Sequence, residues 1–246
     1  MRLKNKTAII TGGGSGIGLA CARTFAREGA NVVIFGRRKD RLDQAAGEIG
    51  ERALAVPGDI ARMEDIDRLV DAAMDTFKQI DILVNNAGVF EMGPLHETDD
   101  AMWDKVLDIN LRSVFRLTKK VLPKMLARKS GSIVNISSIL SMIALPGTAA
   151  YSASKGALDQ FSRVIAVEYA KECIRSNCVC PGMVETEMTE ELRKDKNLAA
   201  EILKSYPMGR FGSAQELANV CLFLASDEAS FITGAVLPVD GGYTAQ

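Results

Sequence analysis

Several residue types that often build functional sites are scarce in this sequence of 246 residues. It has one histidine, His96, which nearly excludes a site of several histidines or a Ser-His-Asp triad elsewhere in the chain. Its five cysteines are an odd number without the spacing of a disulfide framework. Cys178 and Cys180 lie two residues apart, but no second cysteine or histidine pair completes a zinc site with them. We therefore expect no metal site.

Excess charge and long apolar runs are absent as well. The 30 basic and 31 acidic residues give a net charge of −1, which does not favour binding to nucleic acid or to an anionic membrane. No apolar run approaches the roughly 18 residues of a membrane-spanning helix, and residues 1–6 do not resemble a secretory signal. We expect a cytoplasmic protein of one α/β domain, residues 1–246.

Short β-branched runs alternate with longer helical patterns along the chain. The runs lie at Thr7–Thr11, Asn31–Phe35, Ala53–Val56, Ile82–Val84, Ser132–Ile136, Arg175–Cys180 and Ala235–Val239. Most are continuously apolar, which is typical of strands covered on both faces of a parallel sheet. The helical patterns include Arg41–Ile49 after an Asp40 N-cap, Met63–Phe77, Trp103–Leu126, Tyr151–Lys171 and Ser213–Leu224. The alternation predicts a doubly wound α/β fold with helices on both faces.

The polar segment 183–208 interrupts this alternation. Its charged residues are mixed with scattered Leu and Met, and no further strand pattern occurs within it. A substrate flap that moves and a pair of ordinary surface helices both fit this composition.

A glycine-rich turn follows the first predicted strand and opens a helix. The sequence is Thr11-Gly12-Gly13-Gly14-Ser15-Gly16-Ile17-Gly18. Glycine lets the backbone turn sharply and approach a ligand, and a helix N-terminus offers N–H groups and a positive dipole end to a phosphate. No Lys-Ser or Lys-Thr follows, so the turn is not a P-loop. It indicates a dinucleotide site, with glycines kept only for packing as the alternative.

The residues at the end of the second predicted strand determine whether the site favours the adenosine ribose of NAD or that of NADP. An acidic residue there would bind the 2′-hydroxyl of NAD, whereas an arginine would bind the 2′-phosphate of NADP. This strand ends in Gly36-Arg37-Arg38-Lys39, and a guanidinium can contact a phosphate through two hydrogen bonds. Asp40 competes with this interpretation, but it stands where a helix N-cap is needed. The pattern favours NADP, with NAD and a merely solvated basic loop left open.

Tyr151 and Lys155 are spaced i and i+4 on a predicted helix and therefore share a face. An ammonium about 4 Å from a phenolate stabilises it by roughly 4 kcal/mol at an effective dielectric near 20. This corresponds to about three pKa units and predicts a phenol pKa near 7, where acid–base catalysis is efficient. The same spacing arises by chance on amphipathic helices, so the neighbouring motifs decide its meaning.

Other polar groups follow the predicted strands at their carboxyl ends, where open α/β sheets bind ligands. Ser137-Ser138 ends the fifth strand, Asn85-Asn86-Ala87-Gly88 follows the fourth, and Pro181-Gly182 with Thr186 follows the sixth. Asn110 lies within a predicted helix, where asparagine is a poor helix former. A polar task and a buried structural hydrogen bond both explain its position.

Together these motifs resemble those of the short-chain dehydrogenase/reductase family, in its branch of about 250 residues. The matches span Thr7 to Gly242 and include Asp59 and the closing Val239-Asp240-Gly241-Gly242. The resemblance implies a single Rossmann-type domain with seven parallel strands and a pyridine nucleotide cofactor. It also implies homotetramers built on the helices predicted at Trp103–Leu126 and Tyr151–Lys171. The nearest-looking subgroup is the 3-oxoacyl-carrier-protein reductase type, with sugar and steroid dehydrogenases near it.

The resemblance also implies roles for particular residues. Tyr151 would be the catalytic acid/base with Lys155 as its partner, Ser138 would orient the substrate carbonyl, and Asn110 would support a proton-relay water. Besides Tyr151 and Lys155, the cofactor would be bound by Gly12, Ser15, Gly16, Ile17, Gly18, Arg37, Arg38, Asp59, Ile60, Asn86, Ala87, Gly88, Pro181, Gly182, Val184 and Thr186. The activity implied is hydride transfer between the nicotinamide and a ketone or secondary alcohol.

The substrate pocket is expected to be mostly apolar, with walls that include Ser138, Leu140, Leu145, Met183 and Met188. A β-ketoacyl thioester reductase and an NAD-dependent sugar or alcohol dehydrogenase stay open as alternatives. More remote ones are a non-catalytic nucleotide sensor and a methyltransferase with a similar glycine turn.

An acyl carrier protein is also considered as a partner. Binding it would require cations that face an acidic surface, and Arg128 with Lys129 suits that task. Where the carrier-protein subgroup tends to carry a second arginine, however, this chain has Glu172 next to Lys171. This departure weakens the carrier-protein interpretation relative to a small-molecule carbonyl substrate.

Overall fold

The computed structural model describes all 246 residues, which are organised around one seven-stranded parallel sheet. Its strands are β1 (Thr7–Thr11), β2 (Asn31–Gly36), β3 (Ala53–Pro57), β4 (Ile82–Asn85), β5 (Gly131–Ile136), β6 (Ile174–Pro181) and β7 (Val236–Val239). Their order across the sheet is β3-β2-β1-β4-β5-β6-β7, and every neighbouring pair is parallel. The predicted Rossmann-type, doubly wound sheet is confirmed.

Helices cover both faces of this sheet. They are α1 (Gly16–Arg27), α2 (Lys39–Ile49), α3 (Met63–Phe77), α4 (Asp100–Leu107), α5 (Ser113–Arg128), α6 (Ala149–Tyr169), α7 (Glu190–Lys194), α8 (Lys196–Lys204) and α9 (Ala214–Ala225). The helix predicted at Trp103–Leu126 is α4 and α5 joined by a π-helical turn, Asp108–Arg112. None of the helices combines the length and the apolar content that crossing a membrane requires.

The predicted start of α2 is wrong. Arg38, not Asp40, is the N-cap residue, and the helix begins at Lys39. Asp40 therefore lies in the first helical turn, where a carboxylate still interacts favourably with the positive end of the helix dipole.

The continuous apolar strands are explained by cores on both faces of the sheet. In β1, Ala8 and Ile10 belong to one buried cluster and Ile9 to the other, because successive side chains of a strand point to opposite faces. Phe25 of α1 packs in the first cluster, and Leu69 of α3 packs in the second. Burying one such side chain contributes about 1.5–3 kcal/mol, so packing on both faces stabilises the sheet beneath its loops.

The carboxyl edge of the sheet carries the loops that form a site. Strand order reverses between β1 and β4, and open α/β sheets bind ligands in the crevice at such a point. Segment 183–208 covers this edge with a short strand, Val184–Glu185, a 3₁₀ turn at Glu187–Thr189, and helices α7 and α8; its strand pairs with Gly212–Ser213 just beyond the segment. It is thus built of short surface helices, and its movement as a flap stays a prediction.

Candidate active site

A cavity of about 1290 Å³ opens at the carboxyl edge of the sheet. Its walls are the loops that follow β1 to β6 together with segment 183–208. All the residues predicted to bind cofactor or substrate line this cavity, with Gly18 as the exception. Of the predicted catalytic residues, Ser138, Tyr151 and Lys155 line it, while Asn110 is buried behind its wall.

The glycine turn after β1 forms one end of this cavity. Gly12 and Gly16 have φ values of +66° and +52°, a region that residues with a Cβ rarely adopt. A Cβ on Gly18 would lie 2.3 Å from the carbonyl oxygen of Gly12, so Gly18 lets α1 start directly against the turn. Ser15, the N-cap of α1, makes no side-chain hydrogen bond to the helix backbone. A glycine cradle at a free helix N-terminus fits the pyrophosphate of a dinucleotide.

The loop after β4 is fixed beside this turn. The Asn86 amide donates a hydrogen bond to the Thr11 carbonyl oxygen at 2.8 Å, and the Thr11 hydroxyl accepts from the backbone N–H groups of Asn86 and Ala87 at 2.9 and 3.0 Å. On the other side, the Cγ2 atom of Thr186 lies 3.3 Å from the position of a Cβ on Gly16. Two loops that are far apart in sequence therefore enclose the glycine turn.

The loop after β3 forms another wall of the cavity, and backbone hydrogen bonds to carboxylates fix it. The Asp59 carboxylate accepts from the Ala61 N–H at 3.0 Å, and the Asp59 N–H donates to the Asp65 carboxylate at 2.8 Å. Ile60 is buried and lines the cavity next to Asp59. A planar adenine ring could be accommodated between such a fixed backbone and an apolar side chain.

The basic residues after β2 lie at the mouth of the glycine cradle. The Arg38 guanidinium donates to the Ser15 hydroxyl at 3.0 Å and pairs with the Glu187 carboxylate at 2.7 Å. Arg41 lies 4.0 Å from the same carboxylate, and Arg37 also lines the cavity. The hydrogen bond from Arg38 is the main cause that holds the pKa of Glu187 below its usual range. Glu187 is absent from the sequence prediction because it lies 149 residues beyond Arg38.

The predicted catalytic pair lies on the inner face of α6. Tyr151 and Lys155 are both buried, and the Lys155 ammonium lies 5.6 Å from the centre of the Tyr151 ring. Lys155 donates to the carbonyl oxygen of Ile136, the last residue of β5, at 2.8 Å. The ring of Phe90 packs edge-on against Tyr151 with the centroids 4.8 Å apart. Helix, strand and loop thus fix the phenol and the amine on the same side of the cavity.

Ser138 brings a second hydroxyl to the Tyr151 phenol. It follows β5, and its oxygen accepts a hydrogen bond from the backbone N–H of Leu140 at 3.1 Å. Because this bond uses a lone pair, the Ser138 hydroxyl proton is still available to a ligand. The side-chain contact with Ser138 also lowers the pKa of Tyr151, in opposition to the effect of burial.

Burial has the largest effect on the protonation of the pair. It raises the pKa of Tyr151 to about 12 and lowers the pKa of Lys155 to about 8. The sequence-based prediction of a phenol pKa near 7 is therefore wrong. Desolvation disfavours the charged form of each group, and it is the largest cause of both changes in pKa. At pH 7 the phenol is protonated and the amine is mostly protonated.

Asn110 occupies the π-helical turn between α4 and α5. Its amide donates to the Val89 carbonyl at 2.9 Å and to the Ser154 hydroxyl at 3.2 Å, while its oxygen accepts from the Val89 N–H at 2.8 Å. These bonds tie the loop after β4 to α6, which is the structural role considered for this residue. The widened turn is what aims the side chain at Val89. Support of a proton-relay water stays a prediction.

Asp159 is a further buried group near the pair that the sequence analysis missed. It lies one helical turn beyond Lys155, it is 5% exposed, and its Oδ1 atom has no hydrogen-bond partner. Its charge raises the pKa of Lys155 and so opposes the larger effect of burial. The i, i+4 spacing from Lys155 is a signal that could have identified it.

The other end of the cavity is predominantly apolar. Leu140, Leu145, Met183 and Met188 line it, and further apolar or aromatic walls come from Phe90, Met92, Leu192, Leu198, Ile202, Tyr206 and Tyr243. The acidic Glu91 at this end is paired with Lys105. A neutral, largely apolar substrate suits such walls.

The basic residues considered for a carrier protein lie elsewhere. Arg128 ends α5 and pairs with Asp81 at 3.4 Å. Asp81 immediately precedes β4, so Arg128 marks the amino edge of the sheet. Within one chain this edge is opposite the cavity, and Arg128 with Lys129 does not border the cavity mouth.

The fold and this cavity define a nucleotide-dependent oxidoreductase of the Rossmann class. A family model described as "Enoyl-(Acyl carrier protein) reductase" matches residues 12–244. The chain is 40% identical over 248 residues to 2-(R)-hydroxypropyl-CoM dehydrogenase of Xanthobacter autotrophicus, covering 98% of this chain and 99% of that protein. It is also 40% identical to the 3-oxoacyl-acyl-carrier-protein reductase FabG of Thermotoga maritima, covering 98% and 99%.

Solved structures agree with these relatives. A short chain dehydrogenase/reductase family protein superimposes with a TM-score of 0.91 at 41% identity, covering 99% of this chain and 100% of that one. The chain belongs to the short-chain dehydrogenase/reductase family. It is thus an NAD(P)-dependent oxidoreductase that acts on alcohol and ketone groups.

Proposed function

We propose that this enzyme uses NADP(H) to interconvert a small, largely apolar ketone and its secondary alcohol, with Tyr151 as the acid/base. The observation that carries the proposal is the juxtaposition of the Ser138 and Tyr151 hydroxyls, with Lys155 one turn away, in the cavity that also contains the glycine cradle. Apolar walls at the opposite end of the cavity support a substrate without a strongly charged group.

The proposed chemistry depends on two hydroxyl groups and one amine. When bound, the nicotinamide supplies or accepts the hydride at the substrate carbon. In reduction, Ser138 and Tyr151 donate hydrogen bonds to the carbonyl oxygen, and Tyr151 transfers its proton to that oxygen as negative charge develops. The Lys155 ammonium stabilises the remaining phenolate. In oxidation, the phenolate takes the proton back from the alcohol.

The cofactor would be held by groups along the cavity from the glycine turn to α6. The glycine turn and the N-terminus of α1 would bind the pyrophosphate, Asp59 and Ile60 the adenine, and residues 86–88 with Lys155 the nicotinamide ribose. The segment from Pro181 to Thr186 would border the nicotinamide.

The preference for NADP is supported by charge at the adenosine end. Arg37, Arg38 and Arg41 line the cavity, whereas Asp40 does not. A 2′-phosphate would find three cations there, and the connection from β2 to α2 presents no carboxylate to a 2′-hydroxyl.

We further propose that the enzyme is a cytoplasmic homotetramer. Exposed apolar side chains support association through α5 and α6, since Phe115, Val164 and Val167 are 47%, 50% and 84% exposed in the single chain. The carrier-protein alternative receives no support from Arg128, which lies at the opposite edge of the sheet.

Steady-state assays test the activity. We expect ketone-dependent oxidation of NADPH within a panel of β-ketoacyl thioesters, cyclic ketones, diketones and sugars, with a higher kcat/KM for NADPH than for NADH. Tyr151→Phe should lower kcat by about 100- to 10,000-fold, the usual contribution of a positioned acid/base, while cofactor affinity is retained. Tyr169→Phe, at the end of the same helix and outside the cavity, is the matched control.

Three results would contradict the proposal. Near wild-type turnover by Tyr151→Phe would remove its acid/base role. A strong preference for NADH would refute the NADP assignment. Cofactor binding without turnover of any ketone or alcohol in the panel would instead indicate the nucleotide sensor.

A further inference from the structure

Segment 183–208 places a carboxylate at the mouth of the glycine cradle. Glu187, in the 3₁₀ turn after Thr186, pairs with Arg38 at 2.7 Å and lies 4.0 Å from Arg41. The same Arg38 guanidinium donates to the hydroxyl of Ser15, the N-cap of α1. A negative group therefore already lies among the cations that line the adenosine end of the cavity.

The backbone around Glu187 is held without its carboxylate. The Thr189 hydroxyl donates to the carbonyl oxygens of Val184 and Thr186, and the Arg193 guanidinium donates to the Thr186 oxygen at 3.2 Å. The pairing of Glu187 with Arg38 is thus not needed to shape this turn. Its consequence is instead electrostatic, because it occupies donors of a guanidinium that would otherwise face an incoming anion.

This ion pair is weak enough to be displaced. The side chains of Arg38 and Glu187 are 51% and 45% exposed, and exposed pairs of this kind contribute little and are screened by salt. A phosphate monoester carries about two negative charges at neutral pH and has three acceptor oxygens. It therefore binds a guanidinium more strongly than a single carboxylate does.

We propose that Glu187 is a specificity-determining residue that competes with the 2′-phosphate of NADP for Arg38 and Arg41. This inference rests on the proposed function, which assigns the 2′-phosphate to these arginines. The carboxylate lowers the affinity for NADP but not for NAD, whose 2′-hydroxyl does not need the guanidinium. It thereby reduces the preference for NADP over NAD that the arginines alone would produce.

Equilibrium binding to the full chain tests the competition. Dissociation constants are measured for the wild type and for Glu187→Gln. The ligands are NADPH and NADH, and adenosine 2′,5′-bisphosphate and adenosine 5′-monophosphate. We expect tighter binding of NADPH and of the bisphosphate, by up to about fivefold, the upper range for an exposed ion pair. NADH and the monophosphate should be unchanged, and the gain should shrink as ionic strength rises.

Two further variants separate competition from other effects. Glu191→Gln is the matched control, since Glu191 lies on the same segment and pairs with Lys194. It should leave all four constants unchanged. In an Arg38→Gln, Arg41→Gln background, Glu187→Gln should no longer alter the ratio of the NADPH and NADH constants.

The outcomes also distinguish this inference from the proposed function. The competition is refuted if Glu187→Gln leaves the ratio of the NADPH and NADH dissociation constants unchanged, or weakens the binding of both cofactors equally. This holds even where the wild type prefers NADPH. If the wild type prefers NADH, the proposed NADP preference fails, while a selective gain in NADPH affinity by Glu187→Gln would still support the competition.

Discussion

Replacement of Lys155 by methionine should stabilise the folded protein at neutral pH while it removes activity. Lys155 is 4% exposed, and burial lowers its pKa from 10.5 to about 8. Below pH 8 the folded protein holds a buried charge that the unfolded chain holds in water. The lowering of the pKa from 10.5 to about 8 corresponds to roughly 3 kcal/mol of unfolding free energy lost at pH 7.

The loss of a hydrogen bond would offset part of this stabilisation in the variant. Lys155→Met leaves the Ile136 carbonyl oxygen without the donor that it has at 2.8 Å. An unsatisfied buried acceptor costs about 1–3 kcal/mol, so the net stabilisation at pH 7 should be about 1–2 kcal/mol. Methionine is unbranched and fills the space of the lysine stem, which keeps the packing contribution small.

The pH dependence provides the sharper test. Between the folded pKa of about 8 and the unfolded value of 10.5, the unfolded chain binds more protons than the folded protein. The stability of the wild type should therefore rise with pH in this window, by about 2 kcal/mol between pH 7 and pH 9.5, relative to Lys155→Met. The advantage of the variant at pH 7 should thus disappear at pH 9.5.

Urea denaturation of both proteins at a fixed concentration measures this difference, because association also shifts apparent stability. Lys171→Met, which removes an exposed lysine, is the matched control and should show no such pH dependence. A stability difference between wild type and Lys155→Met that is constant from pH 7 to pH 9.5 would refute the argument. Tyr151 does not interfere, since its raised pKa of about 12 affects stability mainly between pH 10 and pH 12.

Two further predictions concern Asp159 and the assembly. Asp159→Asn removes a charge that raises the pKa of Lys155, so the limb of the pH profile of kcat/KM that reports Lys155 deprotonation should move to lower pH. Superimposable wild-type and variant profiles would exclude this coupling. Light scattering should give about four times the 26.5 kDa of one chain, and a mass near that of one chain would contradict the tetramer.

The parallel sheet could be predicted from the sequence because its signals are local. The apolar run at Thr7–Thr11 is a strand whose residues face two buried clusters, and the following glycine turn does begin a helix. The π-helical turn at Asp108–Arg112 carries no comparable signal. It is accompanied by three hydrogen bonds between the Asn110 side chain and Val89 or Ser154, two donated and one accepted by Asn110, which depend on the packed arrangement of loop and helix.

The chemical groups of the site were also predictable, but their energetics were not. Helical spacing alone places Tyr151 and Lys155 on one face. The pKa values of both groups depend on how completely the fold excludes water from them. The spacing of residues in the sequence does not indicate that. The pairing of Arg38 with Glu187 was equally hidden, since it requires the loop after β6 to reach the connection between β2 and α2.

Burial also favours one protonation state of the Tyr151–Lys155 pair. With a pKa of about 12, Tyr151 holds its proton at neutral pH, and Lys155, with a pKa of about 8, still carries most of its charge. A site in this state is ready to donate a proton to a carbonyl oxygen but not to accept one from an alcohol. Oxidation requires a further positive charge beside the phenol or a higher pH, because either favours the phenolate. If Tyr151 is the acid/base, as proposed above, its desolvation therefore favours the protonated phenol that carbonyl reduction consumes.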